Sequence, residues 1–125
     1  MRITGPGLFL LLMLAGCRTA MTMTVVNRGP TLTVTASCGD QQFQATLSPQ
    51  TQTVWQSSAN NCAISTEAPA RSDDAQASRD LTITTSCQHD HSCGFQVGGE
   101  VDPPSLRPGE QVVVEVRGLT ITRQP

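Results

Sequence analysis

The chain has 125 residues, eight arginines and no lysine against ten acidic residues, and three phenylalanines and one tryptophan with no tyrosine. A net charge of −2 excludes a protein that draws nucleic acid to itself by charge, and the length suits one domain rather than two. The scarcity of aromatics leaves Val, Leu, Ile, Ala and Thr to fill the interior, and so small a core gains from covalent support, because stability is a small difference between burial and chain entropy.

At the start of the chain, Arg2 precedes an apolar run from Leu8 to Leu14, and Leu14, Ala15, Gly16 and Cys17 close it. The run falls well short of the roughly 20 residues that a bilayer-crossing helix needs and has the layout of an export signal. Those last four residues match, position by position, the lipobox Leu-(Ala/Ser)-(Gly/Ala)-Cys, and the segment resembles the signal peptides of bacterial lipoproteins. The resemblance covers residues 1–17 alone. It implies cleavage before Cys17, acylation of the Cys17 thiol and its new amino group, palmitate being a usual acyl chain, and residence in the cell envelope. An aspartate after the lipidated cysteine commonly retains such proteins in the inner membrane. Arg18 stands there instead, so the resemblance points to the outer membrane, facing the periplasm. Residues 17–20 then form the lipidated cysteine and a short tether, and 21–125 a single domain. Without residues 1–16 the chain keeps 109 residues and a net charge of −3.

Beyond the tether, period-two alternation dominates, with Thr and Gln on the polar face, the pattern of half-buried strands. The first strand spans Thr22 to Asn27. In "TLTVTASC" Leu32, Val34, Ala36 and Cys38 share one face. "QQFQATL" turns Phe43, Ala45 and Leu47 inward, with Gly39 and Asp40 between the two runs as a hairpin turn. Further strands are expected at Thr53–Ser57, Cys62–Thr66, Asp80–Ser86, Gly94–Val97, Gln111–Arg117 and Leu119–Arg123. Ser65 to Asp80 lacks alternation and reads as a surface loop, with Ser72 or Asp73 offering a cap for a short helix. Short strands with turn signals every eight to twelve residues argue for an antiparallel, immunoglobulin-like β-sandwich of about seven or eight strands, with a small barrel as the alternative.

Once Cys17 is set aside, Cys38, Cys62, Cys87 and Cys93 remain, an even number that in an exported chain reads as two disulfides with three connectivities. "LTVTASC" at Leu32 to Cys38 recurs as "LTITTSC" at Leu81 to Cys87, and each copy is followed by a Leu-x-Pro turn, at Leu47 to Pro49 and Leu106 to Pro108. A duplicated half would pair Cys38 with Cys62 and Cys87 with Cys93. Generic Thr-Val alternation is the competing explanation of the repeat.

"CQHDHSC", Cys87 to Cys93, concentrates the chain's chemistry, since His89 and His91 are its only histidines. Extended, the segment would span about 20 Å, too long for a disulfide or for four ligands on one zinc ion, so it must turn back. A zinc site needs thiolates whereas an oxidising envelope joins them, which favours a stapled hairpin loop. Two imidazoles alone make an incomplete metal site. Met21 and Met23, which could serve Cu(I), read better as packing residues. Adjacent His89, Asp90, His91 and Ser92 do not form a triad, whose members come from separated elements. No enzyme, no cofactor and no metal are therefore expected. The expected role is a binding or assembly module in which His89, Asp90 and His91 contact another envelope protein, for instance in a secretion or conjugation machine. A protective lipoprotein blocking a lysozyme, toxin or phage is the alternative, and metal binding through His89 and His91 a third. The membrane-bound lysozyme inhibitors are similar in size and compartment, but their Ser-Ala-Ser-Gly motif is missing.

Overall fold

The computed structural model describes residues 19–67, 79–98, 100, 103–118 and 120–124. Ten strands run in chain order as β1 Met21–Asn27, β2 Leu32–Cys38, β3 Gln41–Leu47, β4 Thr51–Ser57, β5 Asn61–Glu67, β6 Asp80–Cys87, β7 Cys93–Val97, β8 Ser105–Leu106, β9 Gln111–Arg117 and β10 Thr120–Gln124. They form two five-stranded sheets, ordered β10-β9-β6-β1-β4 and β3-β2-β5-β7-β8. The sheets pack face to face as a β-sandwich, not a barrel.

Alternation builds both layers. In β1 Met21, Met23, Val25 and Asn27 are fully buried while Thr22, Thr24 and Val26 face outward. In β2 the inward set is the expected one, Leu32, Val34, Ala36 and Cys38. The interior is completed by Ile64, Leu81, Ile83, Phe95, Val97, Leu106, Val114 and Val116. Met21 and Met23 belong to this core, and Met side chains fill such gaps well.

All nine expected strand segments are strands, most of them a residue or two longer than the alternation marked. β4 begins at Thr51 rather than Thr53, and β5 runs through Glu67, taking Ser65 to Glu67 from the expected loop. The tenth, β8, has two residues between Pro103-Pro104 and Pro108, too short for a period to show. The expectation of seven or eight strands is thus corrected to ten among the described residues. One pair departs from the antiparallel rule: β5 and β7 run parallel, because the chain crosses to the other sheet for β6 before returning. Residues 68–78, with Ser72 and Asp73, lie outside the described residues.

Gly39 and Asp40 make the β2–β3 turn. Gly39 has φ +59° and Asp40 no positive φ, as a type II′ hairpin requires of its first central residue. At the opposite end Asn27, fully buried, holds two crossovers together. Its Nδ2 donates to the carbonyls of Leu47 (2.8 Å) and Pro30 (3.0 Å), its Oδ1 accepts from Gly29 N–H (3.0 Å), and Gln50 N–H donates to its carbonyl (2.8 Å). Gln50 itself sits at φ +63°, an uncommon conformation for a non-glycine residue.

Candidate functional site

The Cys87–Cys93 motif lies beside Ala20, where the chain enters the fold. Cys87 ends β6 in one sheet and Cys93 begins β7 in the other, so the expected hairpin loop is instead a crossover between layers. Its disulfide, with Cα atoms 5.9 Å apart, ties the two sheets to each other. The second disulfide, Cys38–Cys62, joins residues directly opposite on neighbouring strands β2 and β5 of one sheet. Both bonds sit at the same end of the sandwich, and all four cysteines are buried.

The pairing follows the half-by-half expectation, but the halves do not repeat as folds. β2 pairs with β3 and β5 in one sheet, whereas β6 pairs with β1 and β9 in the other. The two "LT(V/I)T-x-SC" strands therefore share a sequence and an end, not a neighbourhood.

Between its cysteines the loop makes one turn, closed by His91 N–H to the Gln88 carbonyl at 3.2 Å. Two other segments brace it. Gln88 N–H donates to the carbonyl of Ala20 (2.9 Å), just ahead of β1, and Cys87 N–H to that of Glu110 (2.9 Å). Gly109 N–H is shared between the carbonyls of Cys87 (3.1 Å) and Gln88 (3.2 Å).

The Leu106–Pro108 turn, noticed in the sequence only as half of a repeat, is thus the loop's support. The backbone at Gly109 favours glycine, and the His89 ring packs against it. The φ of Gly109 is +79°, and a Cβ would meet His89 Nδ1 at 2.8 Å, so the His89 ring lies directly over the glycine. Glu110 holds the turn through Arg107 N–H to Oε1 at 2.7 Å.

His89 and Asp90 are exposed and His91 is half-buried, with its Nε2 3.5 Å from Asp90 Oδ1. The loop presents two imidazoles and a carboxylate on a rigid, crosslinked base. Among the described residues no three His, Cys, Asp or Glu side chains gather as metal ligands. Cys87 and Cys93 are joined to each other, so neither offers a thiolate. Cys17 lies outside the described residues.

Sequence reasoning missed two interior clusters, one on each open side of the sandwich. On the β8/β10 side Arg123 reaches inward from β10. Its Nε and Nη2 donate to the two Glu100 carboxylate oxygens at 2.8 and 2.7 Å, and Nη2 also donates to the Phe95 carbonyl at 2.6 Å. The guanidinium carbon lies 5.7 Å from the Phe95 ring centre. The two side chains are only 15% and 17% exposed, and the Arg123 hydrogen bonds hold the Glu100 carboxyl below its ordinary value of 4.5. The parity of β10 places Arg123 on the same face as Ile121, a readable signal; Glu100, in a Gly-rich stretch, carried none. On the β3/β4 side Phe43 and Trp55 stack, ring centres 5.7 Å apart.

No known protein family, no curated protein and no solved structure matches the chain.

Proposed function

We propose that the protein is a lipid-anchored envelope lipoprotein that acts as a binding or assembly module, with the 87–93 loop as its contact surface. The observation that supports this most is the bracing of that loop by Ala20, the first residue ahead of β1. Three residues separate Cys17 from β1, so a lipid on Cys17 holds His89, Asp90 and His91 within about 15 Å of the membrane surface.

A crosslinked loop loses little entropy on binding, which favours recognition by a preformed surface. Its reach selects the partner: an envelope protein exposed at, or embedded in, the membrane that carries the anchor.

Two measurements test the reading. Intact mass of the mature chain is expected to show acyl chains on an N-terminal Cys17, lost in Cys17→Ser; an unmodified, unprocessed N-terminus would remove the anchor. A photo-crosslinking residue at position 89 or 90 is expected to capture one envelope protein that the same residue at position 50 does not. Equal capture from both ends, or capture only from position 50, would reject the loop as the contact. An attacking enzyme, toxin or phage component as the captured partner would convert the module into a protective one.

A further inference from the structure

Each sheet ends in two edge strands, and the four edges are not treated alike. β8 is cut to two residues by Pro103-Pro104 and Pro108, and β10 turns the charged Arg123 inward. Both are devices that keep an edge from recruiting another strand. On the other side β3 and β4 each offer seven residues in unbroken register with their inner neighbour. Neither contains a charge, a proline or a glycine.

β4 has a further property. Its outward residues are Gln52, Val54 and Gln56, a set that reads the same in both directions about Val54. Val54, 51% exposed, is the one large hydrophobic side chain among the described residues to stand open to solvent.

We infer that β4 is a self-association edge, pairing antiparallel with β4 of a second copy about a two-fold axis at Val54. In that register Val54 meets Val54 of the second copy, and each Gln52 meets a Gln56, so apolar faces apolar and amide faces amide with no like charges opposed. The interface is isologous, as a closed dimer demands. It joins the two β10-β9-β6-β1-β4 sheets edge to edge into one ten-stranded sheet. β3, held against β4 by the Phe43–Trp55 stack, faces its own copy across the same axis.

The axis reverses strand direction, so Ala20 of the second copy, whose N–H donates to the Ser57 carbonyl at the end of its own β4, lies at the Gln50 end of the first, and the two lipid anchors reach one membrane with the strands lying along its surface. A single seven-residue ladder covers less than the roughly 1,200–2,000 Å² of a stable interface. The pair is therefore weak, and forms where the chain is concentrated.

Cysteine scanning of the full-length chain, purified in detergent and oxidised mildly, tests both partner and register. Val54→Cys is expected to give a dimer whose linking peptide joins position 54 to 54. Gln52→Cys alone should not crosslink, whereas a mixture of Gln52→Cys and Gln56→Cys chains should. Val54→Lys is expected to weaken association at least about tenfold in sedimentation while leaving the circular dichroism unchanged, since it opposes like charges on the axis. Mixing Val54→Lys with Val54→Glu chains should restore it. Crosslinking at 52 as readily as at 54, no 54–54 link, or association indifferent to Val54→Lys would overturn the inference. A Val54→Cys adduct with a different protein would show that a foreign strand, not a second copy, occupies the edge.

Discussion

The two open sides of the sandwich are closed by different chemistry. On the β8/β10 side a half-hidden ion pair spans the gap between the sheets, anchored by Arg123 to Glu100 and to the Phe95 carbonyl. On the β3/β4 side two stacked rings do the same work, and among the described residues no strand pairs with the outer edge of β3 or β4. The ion pair is directional and needs its partners; the stack is tolerant and needs only contact. One side is thus fixed and protected, and the other is left able to accept another strand.

Substitutions separate the two. The largest expected effect is that of Trp55→Ala, which removes the only tryptophan from a site only 9% exposed and leaves Phe43 without its partner. A loss of about 3 kcal/mol in urea unfolding is expected. Glu100→Gln is expected to cost about 2 kcal/mol by the same measurement, because Arg123 keeps its burial and loses its charged acceptor.

The two losses differ further in their response to acid. Glu100 is held below its ordinary value of 4.5 in the folded chain, so the unfolded chain binds the proton more readily. The stability it contributes is full above about pH 4.5 and is lost as pH falls through the folded value. Trp55→Ala should therefore keep the wild-type stability decline below pH 4.5, and Glu100→Gln should flatten it; equal slopes in both variants would mean that the ion pair does not form. The smallest effect is expected from Gln52→Lys. Stability should change by less than about 0.5 kcal/mol, as for most surface substitutions, although a charge now guards the bare edge.

Much of the fold was legible because the alternation is so regular. Leu32, Val34, Ala36 and Cys38, or Leu81 and Ile83, sort themselves by parity alone, and parity survives any choice of partner strand. What parity does not encode is which sheet a strand joins. The Gly39-Asp40 turn kept β2 and β3 together as expected, but nothing in Gln88 to Ser92 tells that the chain changes layers there. The order β3-β2-β5-β7-β8 depends on such crossings.

The candidate loop was legible in composition and disulfide but not in position. Its supports, Ala20 and the Leu106 to Glu110 turn, are far away in sequence and meet it only through backbone hydrogen bonds, which leave no mark on residue identity. Gly109 is the exception, since a glycine after Pro108 is a turn signal, though the histidine above it was not foreseeable.

The position of β1 bears on how the domain would carry load. It is flanked on both sides by seven-residue antiparallel ladders, to β4 and to β6, and the chain enters directly at its end through Ala20. A pull applied there acts along the strand, so the bonds of both ladders resist together in shear instead of opening one after another like a zipper. The Cys87–Cys93 bond stands at that same end, where the force arrives, and shares it between the two sheets. A domain fastened by its first strand in this way is suited to hold its shape while tugged.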